Sequence, residues 1–173
     1  SPPGLYAFDG TGAQVWNYTN IGATTSDIVA TADSFYVGAN DGRLHAFDAS
    51  TRTFRWAAIL SNTATDVYRP AVGAGLVVAN IGTAVHAFDV ASGGSRWTNL
   101  DVDGFWDQGP MLAETPNVAI FTGNTLGEIT RLSGQGDLQW QFTVQEPGSF
   151  AQGMLVGRTF YYPGAQAMYA IDT

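Results

Sequence analysis

The chain has 173 residues, with no cysteine and no lysine, and its seven basic residues are all arginine. One domain is the default at this length, and disulfide scaffolds, thiolate metal centres and cysteine nucleophiles are excluded. Fifteen acidic residues bring the net charge to −8 with no arginine cluster, which argues against nucleic acid and anionic membrane surfaces as partners. No apolar run reaches the roughly 18 to 20 residues of a membrane helix, so no membrane insertion is expected. Ser1-Pro2-Pro3-Gly4 has no signal-peptide character, and a secreted source would have lost its signal upstream of Ser1.

A segment recurs along the chain: Leu5 to Trp16 (LYAFDGTGAQVW), Leu44 to Trp56 (LHAFDASTRTFRW), Val85 to Trp97 (VHAFDVASGGSRW), Ile129 to Trp140 (ITRLSGQGDLQW) and Met168 to Thr173 (MYAIDT). The period of about 40 residues, with short strands and no helical pattern, is that of a four-stranded propeller blade. The expected fold is therefore an all-β β-propeller.

In chain order, residues 1–22 read as a partial blade: a third strand at Leu5 to Asp9 and a fourth around Trp16. Residues 23–60 form a blade with strands at Asp27 to Thr31, Ser34 to Gly38, the AFD segment and Trp56, with a turn at Asn40-Asp41-Gly42. Residues 61–100 repeat this with Pro70 to Gly73, Gly75 to Ala79, a turn at Asn80-Ile81-Gly82, and Trp97. Residues 101–145 follow with Pro110 to Ala113, Asn117 to Thr122, a turn at Gly123-Asn124, and Trp140. Residues 146–173 make a last partial blade with Gly153 to Val156, Arg158 to Tyr162, a turn at Pro163-Gly164 and a third strand. The chain thus begins and ends on a third strand, and holds one strand more than four blades need. It reads as about four blades of a larger ring, or as a protomer that completes its ring with another chain.

Asp9, Asp48 and Asp89 end third strands, where a carboxylate can accept from the N–H groups of the next turn. Trp16, Trp56, Trp97 and Trp140 have a structural reading: a flat side chain burying roughly 150–250 Å² joins neighbouring blades with few rotatable bonds. His45 and His86 share the repeat slot of Tyr6 and Tyr169 and read as strand-surface packing.

The pattern Ala-x-Asp-x-x-Thr/Ser-Gly-x-x-x-Trp, clearest from Ala87 to Trp97, resembles the docking motif of pyrroloquinoline-quinone-type β-propeller repeats. Ala46 to Trp56 carries Arg52 in place of the glycine, and Arg131 and Ser133 replace Ala and Asp in the fourth repeat. The resemblance implies a ring of more blades, commonly eight, and covers both quinone-dependent alcohol dehydrogenases and non-catalytic assembly lipoproteins and sensor ectodomains. The dehydrogenase reading implies pyrroloquinoline quinone and calcium as cofactors, but only with ligands from missing blades; this segment has no cysteine pair and no assignable ligand set.

Loops entering each inner strand point into the central funnel. They hold Asp27; Asp66, Tyr68 and Arg69; Phe105, Trp106, Asp107 and Gln108; and Phe150 and Gln152. Aromatic walls with a few polar groups suit a small polar ligand, and Tyr68, Arg69, Trp106, Asp107, Gln108, Phe150 and Gln152 are the candidate site. The alternative is that they fill the funnel and satisfy one another. Asn99, Asp101, Asp103 and Asp107 match spaced calcium-loop positions, but Pro110 stands where the bidentate glutamate belongs, so a solvated acidic turn is expected and no firm metal site. Asn17-Tyr18-Thr19 is a glycosylation sequon. The expected function is a non-catalytic binding or scaffold module, secreted, periplasmic or on the cell surface, with a protein partner or small polar ligand. The alternatives are a dehydrogenase fragment and a carbohydrate-binding propeller.

Overall fold

The computed structural model describes residues 2–100, 102, 109–114, 117–124, 126–144 and 153–172. Short antiparallel strands make up its regular structure. β1 (Leu5–Phe8) and β2 (Gln14–Tyr18) form a two-stranded sheet. β3 (Val29–Ala30), β4 (Ser34–Gly38), β5 (Arg43–Asp48) and β6 (Phe54–Ile59) form a four-stranded one. β7 (Ala71–Gly73), β8 (Leu76–Ile81), β9 (Ala84–Asp89) and β10 (Ser95–Asn99) form the next. β11 (Met111–Ala113), β12 (Ala119–Gly123), β13 (Glu128–Ser133) and β14 (Leu138–Thr143) follow. β15 (Met154–Val156), β16 (Thr159–Pro163) and β17 (Met168–Asp172) make a three-stranded sheet.

Each sheet is a meander paired in sequence order, the arrangement of a propeller blade. Strand limits differ from the sequence expectation at several ends, β3, β8 and β16 among them. β8 runs on to Ile81, because Asn80 pairs with Val85 and Ile81 with Ala84, leaving Gly82 at φ 55° in a two-residue turn. β16 ends on Pro163, a position where a missing N–H is tolerated. The inner strand β3 shrinks to two residues.

Hydrophobic packing lies between sheets. Val37, Ala39 and Phe47 meet Leu5, Trp16 and Tyr18 of the first sheet. Tyr36, Leu44, Ala46 and Trp56 face the other way, onto Val77, Ala79 and Phe88. Val85 and Ala87 then meet Ile120 and Leu132, and Phe121 and Ile129 meet Phe160 and Tyr162. Alternation along each strand therefore feeds two interfaces at once, as the period of two requires.

One irregularity recurs. The pairing of third and fourth strands shifts register beside Phe8, Phe47, Phe88 and Leu132. Each shift places the residue before the tryptophan in a bulge, and a bulge re-aims the side chain it carries.

Candidate functional site

The turns after the third strands are wired by their carboxylates. Asp48 Oδ1 accepts from the N–H groups of Ser50 and Thr51 at 3.0 and 2.8 Å, and Asp89 Oδ1 from those of Ala91 and Ser92 at 3.1 and 3.0 Å. Asp9 does the same for Thr11 and Ala13, and in the fourth repeat the hydroxyl of Ser133 accepts from Gln135 and Asp137. The bulged Arg55 and Arg96 reach back along their sheets and donate to the second oxygens, Asp48 Oδ2 at 2.7 Å and Asp89 Oδ2. Sequence reasoning missed these pairs, although an Arg seven residues after the Asp was the available signal. Backbone N–H donation from Thr51, then Arg55, holds Asp48 well below the usual carboxylate range. Asp89 is held down to about 2, first by Arg96 and then by Ser92.

These turns receive the tryptophans. Trp56 lies over Gly93, where an added Cβ would come within 2.6 Å of the indole, and its N–H donates to the Val90 carbonyl at 3.3 Å. Trp97 lies over Gly136 in the same way and donates to the Gly134 carbonyl at 2.9 Å. Both glycines are left-handed, at φ 69° and 88°. Asn99 is buried and donates from Nδ2 to the Gly136 carbonyl at 2.8 Å, so this candidate calcium ligand serves the join between blades. Trp16 has no such seat: Arg52 occupies the glycine position at φ 60°, and Trp16 meets Phe35 and Phe47 edge-on at 6.1 and 6.0 Å.

His45 is buried on β5 and its Nε2–H donates to Asp41 at 3.1 Å; burial lowers its pKa against the pull of Asp41. His86 bonds Thr98 through Nδ1 and stacks on Phe88, and burial lowers its pKa as well. Asn17 is exposed on β2.

Toward the channel, Arg69 lines a cavity of about 230 Å³ with Val29, Pro70, Val72, Pro110 and Met111, residues of three successive inner strands and their entrances. Arg69 Nε lies 4.0 Å from Asp27 Oδ2. Tyr68, half-buried, donates its backbone N–H to the Asn80 carbonyl, and Asp66 is exposed. Gly109 packs onto the Arg69 carbonyl so closely that a Cβ would overlap it, which ties the entrance of one blade to that of the next. Asp101, Asp103, Phe105, Trp106, Asp107, Gln108, Phe150 and Gln152 lie outside the described residues.

Repeated meander sheets joined through indole-on-glycine contacts define a β-propeller of the pyrroloquinoline-quinone repeat type. The chain belongs to the family described as outer membrane protein assembly factor BamB, whose sequence profile matches residues 4–171. A search of curated proteins finds no sequence match. Among solved structures, BamB from Moraxella catarrhalis is similar with a TM-score of 0.76 at 19% identity, over 96% of this chain and 52% of that one. The computationally designed Ika4 protein is similar with a TM-score of 0.69 at 14% identity, over 87% of this chain and 91% of that one. The quinohemoprotein alcohol dehydrogenase ADHIIG from Pseudomonas putida HK5 has a TM-score of 0.69 at 17% identity, over 98% of this chain and 37% of that one. The chain thus spans about half the length of the BamB structure.

The quinone and calcium implied by the dehydrogenase likeness find no matching donor set among the described residues. No three His, Asp or Glu side chains converge there to hold a metal, and Asn99 is spent on Gly136.

Proposed function

We propose that the chain is a non-catalytic propeller module of an extracytoplasmic protein, binding a partner protein at the channel mouth. The observation that carries this reading is the position of Arg69, which lines a cavity assembled from three successive blades beside Pro70, Pro110 and Met111. A guanidinium at the rim of an apolar hollow suits a partner segment that presents a carboxylate or backbone carbonyls, since it offers paired donors in a fixed fork. Tyr68 precedes Arg69 in the same blade entrance, and Trp106, Asp107, Gln108, Phe150 and Gln152 are the sequence's candidates from the later blade entrances. Membership of a family named for outer membrane protein assembly supports both a protein partner and a location outside the cytoplasm.

The test is titration of extended acidic peptides, pyrroloquinoline quinone with Ca²⁺, and short saccharides, following Trp emission in the native chain and in Trp106→Phe and Arg69→Ala variants. A response to peptide that Arg69→Ala abolishes supports the reading. Quinone-dependent oxidation of alcohols overturns it in favour of a dehydrogenase fragment, and a response confined to saccharides overturns it in favour of a carbohydrate-binding propeller.

A further inference from the structure

The indole of Trp97 divides two hollows at the join between the blade of β7 to β10 and the blade of β11 to β14, both of which have all four strands. One hollow, of about 520 Å³, has apolar walls from Leu76, Val90 and Val118 and polar ones from Asp89, Arg96 and Gln135. The other, of about 480 Å³, lies against Thr98, Asp137 and Leu138. Trp97 and Gln135 line both, and each hollow falls within the size range of small-molecule sites. The preceding join is built from the same parts but uses them up. There Arg55 donates to Asp48 with one terminal nitrogen and to Ser34 Oγ, at 2.7 Å, with the other. Leu76 takes the slot of Ser34, each residue standing opposite the aspartate of its own blade, and a leucine accepts nothing. Arg96 therefore keeps only Asp89 among the described residues, and its side chain is 57% exposed against 34% for Arg55. Trp97 is only half-buried where Trp56 is buried.

We propose that this groove binds a neutral oligosaccharide, with sugar rings to either side of Trp97. Asp89 and Arg96 cancel in charge, so a carboxylate or an ammonium ligand would meet one like charge for each opposite one. A hydroxyl has no such conflict, because it both donates and accepts. Asp89 Oδ1 is taken by Ala91 and Ser92, but Oδ2 holds only Arg96. One hydroxyl of a ring can therefore donate to Asp89 Oδ2 while its neighbour accepts from the terminal nitrogen of Arg96 that Leu76 leaves open. The apolar C–H face of the same ring then lies against Leu76, Val90 and the indole. Gln135 is exposed, and its side-chain amide makes no hydrogen bond among the described residues, so it offers a donor and an acceptor where the two hollows meet. Thr98 and Asp137 carry the polar wall onward, which suits a chain of at least two sugars. Trp97 is already fixed by its bond to the Gly134 carbonyl at 2.9 Å and its seat on Gly136, so binding need not order it.

The proposal does not rest on the channel-mouth reading: Ala74 and Arg69 flank opposite ends of β7, so Arg69→Ala, which abolishes peptide binding at the mouth, should leave the saccharide response intact. Nitrogen–proton correlation spectra of the chain, titrated into the millimolar range with maltotetraose, cellotetraose or tetra-N-acetylchitotetraose, should show the Trp97 indole N–H signal moving with at least one of them; Trp97→Phe identifies that signal by its loss. Gln135→Ala, at an exposed site, should weaken binding by about threefold or more, and Arg96→Gln by about tenfold or more. Arg55→Gln breaks the matching ion pair one blade earlier and is the control, expected to leave affinity unchanged. Tetragalacturonate, an acidic counterpart, and an uncharged glycine–serine peptide should bind more weakly than the neutral sugar. No movement with any of the neutral sugars, tighter binding of the acidic sugar or the peptide, undiminished binding by Gln135→Ala, or an equal effect of Arg96→Gln and Arg55→Gln each overturns the proposal.

Discussion

Arg52 stands in a backbone conformation that the matching turns reserve for glycine, so Arg52→Gly should stabilise the protein. At φ 60° an L-residue with a Cβ is disfavoured by roughly 1–2 kcal/mol, while the freer glycine costs about 0.5–1 kcal/mol of unfolded-state entropy. Arg52 is exposed and its side chain makes no hydrogen bond or ion pair among the described residues, while its backbone N–H bond to the Asp48 carbonyl is one glycine keeps, so little is lost with the side chain. A second gain comes from Trp16, which is half-buried where Trp56 on its glycine seat is 9% exposed. If the vacated turn lets Trp16 settle and bury about 40 Å² more, the hydrophobic gain is about 1 kcal/mol at 25 cal/mol/Å². The sum is about 1–2 kcal/mol, or roughly 2–8 °C in Tm for a chain of this size. Thermal and urea unfolding of the variant beside the native chain measure it, with Trp emission expected to move to shorter wavelength. A midpoint that is unchanged or lowered would refute both the strain at Arg52 and the reading of the turn as a tryptophan seat.

Ala74 also has a positive φ, 50°, and precedes Gly75 in the hairpin between β7 and β8; Ala74→Asn creates the Asn-Gly pair that such turns prefer and should add about 0.5–1 kcal/mol in urea unfolding. Asn99→Ala removes a buried donor and leaves the Gly136 carbonyl without it, so the same assay should show a loss of about 1–3 kcal/mol. Asp48 and Asp89 titrate below their ordinary range when folded, so their stabilisation is complete above about pH 4 and is lost as pH falls toward 2. Replacing both by Asn should flatten urea midpoints measured across that window. His45 and His86 are held neutral by burial, so stability also declines as pH drops below about 6.5, and His86→Gln should reduce that earlier loss.

The blade period was legible because the joining residues are local: an Ala-Phe-Asp strand end, a turn and a tryptophan fall within a dozen residues, and the fold forces them to recur. What lay beyond the sequence is what one blade does to another. Asn99 looked like a metal ligand because its neighbours alternate with aspartates, but its partner carbonyl belongs to Gly136, in the next blade. Arg55 and Arg96 stand seven residues after Asp48 and Asp89, a spacing that a regular strand would not turn into a contact; the bulge does. Arg52 read only as a departure from the glycine pattern until its backbone angle showed what the departure costs. At the channel, Arg69 was visible as the arginine of a blade entrance, whereas Pro70, Pro110 and Met111 read merely as the beginnings of strands and converge only once three blades are assembled.

That an indole seated on a left-handed glycine joins one blade to the next is tested most directly by comparing Gly93→Ala with Gly75→Ala in urea unfolding. Both glycines have nearly the same angle, φ 69° and 76°, so the backbone strain of an added Cβ, about 1 kcal/mol, is common to both. Only at Gly93 would that Cβ strike Trp56, at 2.6 Å, while at Gly75 it meets nothing within 4 Å. The account predicts that Gly93→Ala is the more destabilising by a further 1–3 kcal/mol or so, the usual cost of overpacking; equal losses in the two variants would contradict it.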